Sequence, residues 1–201
     1  MRIFLETDRL LLRYAFESDA GDLFRLNSDP AVMRYLTVKP ATRASTLTEV
    51  LPRFMAGPGG VEPRTWIAVE KASNAFIGGF ALETSEEGPV DEAELGYRLQ
   101  PAAWGKGLAT EGARALIAKG FGELGLKRIW GQTMAVNLGS RRVMEKAGLV
   151  YVRSFHLEWD HPLEGVEQGE VEYALTRDEW LAADGHGALP GSGPGGIRAQ
   201  R

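Results

Sequence analysis

The chain has 201 residues, 44% of them hydrophobic and 25% charged, with a net charge of −4. Those values suit one soluble globular domain. They exclude the basic excess that nucleic-acid binding uses, and no apolar run approaches the ~18 residues of a membrane span. Cysteine is absent and the histidines are His156, His161 and His186, so disulfides, thiolate metal sites and a thioester on the enzyme are excluded and no metal-ligand spacing appears. Glu6, Asp8 and Arg9 interrupt MRIFLETDRLLLR too early for a signal peptide, and a cytoplasmic location is expected.

In chain order, TDRLLLRYA (7–15) reads as a first strand. Residues 17–36 read as helix broken near Pro30, with Ser18 or Asp19 available to cap it, and residues 42–56 as a second helical stretch. GPGGVEP (57–63) is a loop by its glycine and proline content. RTWIAVEK (64–71) and FIGGFALET (76–84) read as a hairpin, followed by an acidic connection (86–92) and a strand over 93–100. A helix is expected through 110–125, a strand over 127–135 and a short helix over 137–148, with Asn137 as N-cap and Gly148 as the glycine stop. Strands follow at 150–159 and 169–176, then a last helical turn at 177–183. From Asp184 the chain is rich in Gly and Pro and is expected to be a flexible tail (184–201) behind a single domain (1–183). Strands alternate with helices in the middle and run together at both ends, the pattern of a mixed α/β sheet.

WGKGLATEG (104–112) stands between a strand and a helix. It fails as a Walker loop, because Lys106 is followed by Gly107, and as GxGxxG, because Thr110 replaces the third glycine. Glycines there let backbone N–H groups converge, and a helix beginning near Leu108 puts about half a positive charge beside them. That makes an anion site suited to a pyrophosphate; a plain tight strand–helix turn explains the same residues.

The ELGYRL strand (94–99), WGKGLATEG and NLGSRRVMEKAGL (137–149), with the opening TDRLLLR, together resemble the GNAT acetyltransferase superfamily. The likeness covers about residues 5–178 and is nearest to the branch of ribosomal-protein N-terminal (Rim-type) acetyltransferases. It implies a single-domain, mostly antiparallel mixed sheet with flanking helices and a central splayed strand pair. It implies acetyl-CoA as co-substrate, with Trp104, Gly105, Lys106, Gly107, Leu108, Ala109 and Thr110 holding the pyrophosphate. The strand end at Arg98 and Leu99 would pair with the pantetheine arm, and Asn137 would contact pantetheine or cap its own helix. No metal is implied, and the partner is an amine acceptor, a protein N-terminus or a small molecule, met by a monomer or homodimer.

The implied reaction acetylates a primary amine by direct attack. A lysine amine is neutral ~0.04% of the time at pH 7 and an α-amine ~14%, so a base helps both. Glu94, Glu158 and His156 are the candidates, with Glu94 at the start of the central strand and Glu158 on the strand face of Ser154 and His156, which solvation alone also explains. Many relatives protonate the thiolate with a tyrosine on the 137–148 helix, but Met144 stands at that position here; the resemblance offers Ser140 instead, which first-turn capping also explains. Glu111 reads as structural. Asp29, Glu86, Glu87, Asp91 and Glu92 are exposed acids able to attract a cation, and residues 17–60 and 160–168 are expected to recognise the acceptor. The alternative to a catalyst is an acyl-CoA-binding sensor of the same fold.

Overall fold

The structure, a computed structural model, describes residues 2–36, 41–55, 64–84, 88–159 and 163–183. The loop expected at 57–63, the acids Glu86 and Glu87, and the tail from Asp184 lie outside them.

Eight strands form one sheet: β1 (Ile3–Glu6), β2 (Leu10–Arg13), β3 (Thr65–Glu70), β4 (Ala75–Glu83), β5 (Glu92–Leu99), β6 (Arg128–Met134), β7 (Val150–Phe155) and β8 (Glu170–Thr176), in the order β1-β2-β3-β4-β5-β6-β8-β7. All neighbours are antiparallel except β5 and β6. Their connection is the helix α5 (Leu108–Gly122), the crossover a parallel pair requires. The other helices are α1 (Ala20–Ser28), α2 (Pro30–Met33), α3 (Arg43–Ser45), α4 (Leu51–Met55), α6 (Leu138–Ala147) and α7 (Arg177–Ala183).

Three expectations need correction. The first strand read at 7–15 is shorter, β2, and is joined in a hairpin to β1, which lies ahead of the expected range, through a turn at residues 7–9, where Thr7 N–H donates to Leu10 O at 2.9 Å. The helix read over 17–36 begins as a 3-10 turn and ends at Met33, and its expected break near Pro30 falls between α1 and α2. Asp29, extended ahead of Pro30 as a residue before proline prefers, ends α1 and caps α2, accepting from Ala31 N–H at 2.8 Å. The strand read to 159 stops at Phe155. Beyond it, buried Glu170 on β8 takes Leu157 N–H at 3.0 Å and the Trp159 indole N–H at 2.7 Å, replacing ladder bonds with side-chain ones.

The sheet carries helices on both faces. On one, α5 lays Leu108, Ala113, Leu116, Ile117 and Phe121 over Phe80, Leu82, Ala93, Leu95 and Ile129, the stripe of an amphipathic helix. Its approach is close: a Cβ on Gly112 would stand 2.3 Å from the Phe80 ring. On the other face Leu23 of α1 and Leu51 of α4, with Phe54 packed against them, cover Ile67 and Val69 of β3.

The feature that positions the site is the parallel pair. β5 meets β6 only from Glu92↔Arg128 to Glu94↔Trp130. Beyond that β6 stays with β8 as far as Met134↔Glu170, while β5 stays with β4 as far as Leu99↔Gly78. The sheet therefore parts down its centre, and residues 95–99 of β5 have a free edge towards β6.

Candidate active site

At the end of the free edge the chain makes a 3-10 turn (Pro101–Ala103) and enters the glycine loop. The Trp104 indole folds back and donates to Leu99 O at 2.8 Å, fixing the loop to the last residue of β5. Gly105 and Gly107 have φ of +71° and +78°, the left-handed region in which a side chain is strained. Open space or the tip of Arg9 is all that a Cβ would meet there, so backbone conformation, not crowding, calls for glycine. Trp104 N–H donates to Pro101 O and Glu111 N–H to Gly107 O, both at 3.0 Å. Among the described residues the amides between them, 105–110, have no such backbone acceptor, and Gly107, the N-cap of α5, offers no side chain. Lys106, Ala109 and Thr110 contribute backbone here, while the Leu108 side chain is buried in the core.

The loop is held from outside by the β1–β2 turn. Glu111 accepts from the Thr7 hydroxyl at 2.6 Å, Arg9 N–H at 2.9 Å and Arg9 Nε at 2.6 Å, and Arg9 Nη1 donates to Lys106 O at 2.9 Å. Burial pushes the Glu111 carboxyl up, but these donors outweigh it and hold it below the usual carboxylate range. Glu111 is thus structural, as expected, and it ties TDRLLLR to TEG in space.

Across the opening, α6 begins at Asn137, whose Oδ1 accepts from Ser140 N–H at 3.2 Å and whose Nδ2 donates to Thr133 Oγ1 at 3.0 Å. Asn137 is the N-cap of its helix. The Ser140 hydroxyl takes no part in that cap. It lies 3.0 Å from the Tyr97 hydroxyl, and the same Tyr97 O–H lies 2.9 Å from Ser140 O. Because a carbonyl only accepts, Tyr97 donates its one proton to Ser140 O and the serine O–H donates to the phenol oxygen. Burial pushes the Tyr97 pKa up to about 12, with the Ser140 bond opposing it weakly. Tyr97 was not singled out from sequence, although alternation along ELGYRL sets it on the face of Leu95 and Leu99, towards α6. Met144 is buried beneath β6, its sulfur beside Gly131, and does not stand in for a hydroxyl.

On the other face of β5 point Glu92, Glu94 and Arg98. Glu94 is the last residue paired with β6, opposite Trp130 there and opposite Glu83 on β4. Burial, and then the Glu83 charge, push its carboxyl up to about 7. A cleft of about 260 Å³ on this face is lined by Glu92, Arg128, Trp130, Gln132, Arg153 and Glu172; Glu94 is next to its Trp130 wall and not part of the lining. The cleft's charges are paired: Arg128 bonds Glu92 at 2.8 Å and Glu172 at 2.5 Å, and Arg153 bonds Glu172 at 2.8 Å. Arg98 reaches Asn27 of α1.

The remaining expectations are distributed as follows. Glu158 is exposed and lies past the end of β7, away from the alternation that suggested it; His156 is exposed and near Glu167 O at 3.5 Å. Of the acids read as exposed and able to attract a cation, Asp29 caps α2, Asp91 pairs with Lys127 at 2.8 Å and Glu92 with Arg128. Among the described residues no group of His, Asp and Glu is arranged to hold a metal, and no helix is long and apolar enough to cross a membrane.

Known proteins match this arrangement. The FsC-acetyl coenzyme A-N(2)-transacetylase of Aspergillus fumigatus is 36% identical over 167 residues, covering 78% of this chain and 69% of that protein. A GNAT-family acetyltransferase from Bacillus anthracis superposes with a TM-score of 0.73 at 26% identity, over 89% of this chain and all of the other. A spermidine N-acetyltransferase from Vibrio cholerae, solved with CoA and spermine, shares the fold with a TM-score of 0.71 at 20% identity, over 87% and 99%. Residues 9–150 match the family described as the acetyltransferase (GNAT) domain, and the chain belongs to that family of acetyltransferases.

Proposed function

We propose that the protein transfers an acetyl group from acetyl-CoA to a primary amine by direct attack, with Glu94 as general base, in the manner of the Rim-type branch its motifs resemble. The observation that carries this reading is Glu94 itself. It is a carboxyl pushed up to about 7, at the point where β5 leaves β6, with the Ser140–Tyr97 hydroxyl pair on the opposite face of the same strand. A base works best with a pKa near the working pH.

The residues fit the ligand. Open amides at the start of α5 and two left-handed glycines suit a pyrophosphate, and the free edge of β5 suits an extended arm that pairs as a strand does. Acetyl-CoA supplies the activated thioester; the rest is the work of the chain. Glu94 takes the proton of the incoming ammonium, leaving a neutral nitrogen. The N–C bond forms as the C–S bond breaks, the sulfur departs as thiolate, and the nitrogen gives up its second proton to solvent as the amide forms. The Ser140 O–H turns from the phenol oxygen to the sulfur. Tyr97, with a pKa about 12, keeps its own proton; it is a positioning residue that leaves the serine proton free to be donated. Solvent completes protonation of the thiol.

Release of free thiol from acetyl-CoA across a panel of primary amines tests this. The wild type should turn over, with kcat/KM rising through about pH 7 as Glu94 deprotonates, and Glu94→Gln should lose ~10²–10⁴ in rate together with that limb. Binding of acetyl-CoA with no thiol release for any amine would make the protein a sensor instead.

A stability readout accompanies the rate. Glu94 holds its proton more tightly folded than unfolded, so this contribution is fully present below about pH 4.5 and is lost as pH rises through about 7. Glu94→Gln should therefore be more stable than wild type at pH 8, by about 1–3 kcal/mol, and equal to it near pH 4.

A further inference from the structure

Arg98 differs from the other arginines on its face of the sheet. Arg128 and Arg153 are ion-paired. Arg98 Nη1 donates to Asn27 Oδ1, a neutral acceptor, while its Nε is buried with no hydrogen-bond partner. Among the described residues no carboxylate lies within ion-pair distance of it. Asn27 is itself buried and committed, its Nδ2 donating to Leu23 O at 2.8 Å. The fields that reach Arg98 come from Glu83 and from Arg53 of α4, the second adding positive charge. A desolvated guanidinium without a counter-ion is costly, and an unmet buried donor adds to the cost. Such a group is retained where something else supplies the anion.

The place indicates what that is. Glu94, Gly96 and Arg98 share one face of β5, spanning roughly 13 Å between the first and last Cα at strand rise. Between the two charges the floor is small: Gly96, with Ala81 opposite it on β4. Phe54 of α4 closes over Gly79, the residue opposite Arg98. One end of this strand face is therefore acidic, with Glu94 and Glu83, and the other basic.

We propose that Arg98 reads an anionic oxygen group on the acceptor, so that the substrate is an amine carrying a carboxylate, or a group like it, several bonds from the nitrogen. This rests on the acyl-transfer reading, which sets the amine at Glu94. A purely cationic polyamine would place its second charge against Arg98 and be disfavoured.

The test is equilibrium binding to the CoA-loaded protein, by calorimetry, of 6-aminohexanoate and its isosteric amide, 6-aminohexanamide. The wild type is expected to bind the acid at least ~10-fold more tightly, the size of a single charge-assisted pair. Arg98→Gln, which keeps a donor for Asn27, should bring the ratio close to one, and Arg98→Lys should retain part of it. Asn27→Asp, which hands Arg98 an internal counter-ion, should abolish the preference without touching Arg98. Equal affinities in the wild type, no binding of either compound, or an unchanged ratio in Arg98→Gln would overturn the proposal. Binding is read without turnover, so failure of the transfer reading shows separately, as a protein that discriminates the pair yet releases no thiol.

Discussion

Helices α5 and α6 each start where a strand of the parallel pair ends, and their first turns are finished differently. α6 has Asn137 at its N-cap, and the asparagine oxygen takes the Ser140 amide. α5 has Gly107 in the left-handed region and no capping side chain at all. Any helix leaves its first amides without partners; at α6 the sequence supplies one, and at α5 it withholds it. The same strand-to-helix junction is thus capped by a side chain in one place and left with open amides in the other, the end that the proposed function gives to the pyrophosphate. The difference lies in one residue at each N-cap. The open end needs outside support, which is the role of Arg9 and Glu111 beneath the loop.

Closing the open end should have the largest effect. Gly107→Asp imposes a Cβ where φ is +78° and a carboxylate where the pyrophosphate charge would sit, and acetyl-CoA affinity should fall by ~100-fold or more, or about 2.7 kcal/mol. At the closed end, Ser140→Ala leaves the cap intact, because the cap uses the Ser140 amide. We expect kcat to fall about tenfold with Tm unchanged, and Tyr97→Phe to move kcat the same way by less; steady-state rates with thermal melts separate the two. Glu111→Ala removes the anchor of the open end while leaving Thr7 and Arg9 donors unmet. It should cost about 1–2 kcal/mol of stability and raise the KM for acetyl-CoA several-fold, read by denaturant titration and initial rates. Asn137→Ala should have the smallest effect, about 1 kcal/mol, lowering Tm by roughly 2–4 °C with little change in the KM for acetyl-CoA.

The same contrast shows what the sequence discloses. Helix ends are local: Asn137, Gly148 and the glycines of the loop were legible because capping and left-handed turns depend on neighbours in the chain. The alternating strands around the centre were legible for the same reason, and the motif pair brought the splay with it. The Tyr97–Ser140 contact joins residues 43 apart and the Thr7–Glu111 bond residues 104 apart, and no periodicity announces such pairs. The preference for Glu94 in the proposed mechanism comes from the fold: Glu94 and Glu83 are adjacent across β4 and β5, whereas Glu158 lies past the end of β7, where Glu170 draws residues 157 and 159 out of the ladder. The unpaired state of Arg98 is invisible in a sequence, where every arginine has some acid within reach.

The most direct measurement is a calorimetric titration of acetyl-CoA into the wild type and Gly107→Asp, with Asn137→Ala alongside. An open anion site at α5 predicts micromolar binding by the wild type and by Asn137→Ala, lost in Gly107→Asp. Binding that survives in Gly107→Asp, or that fails in the wild type, would contradict it.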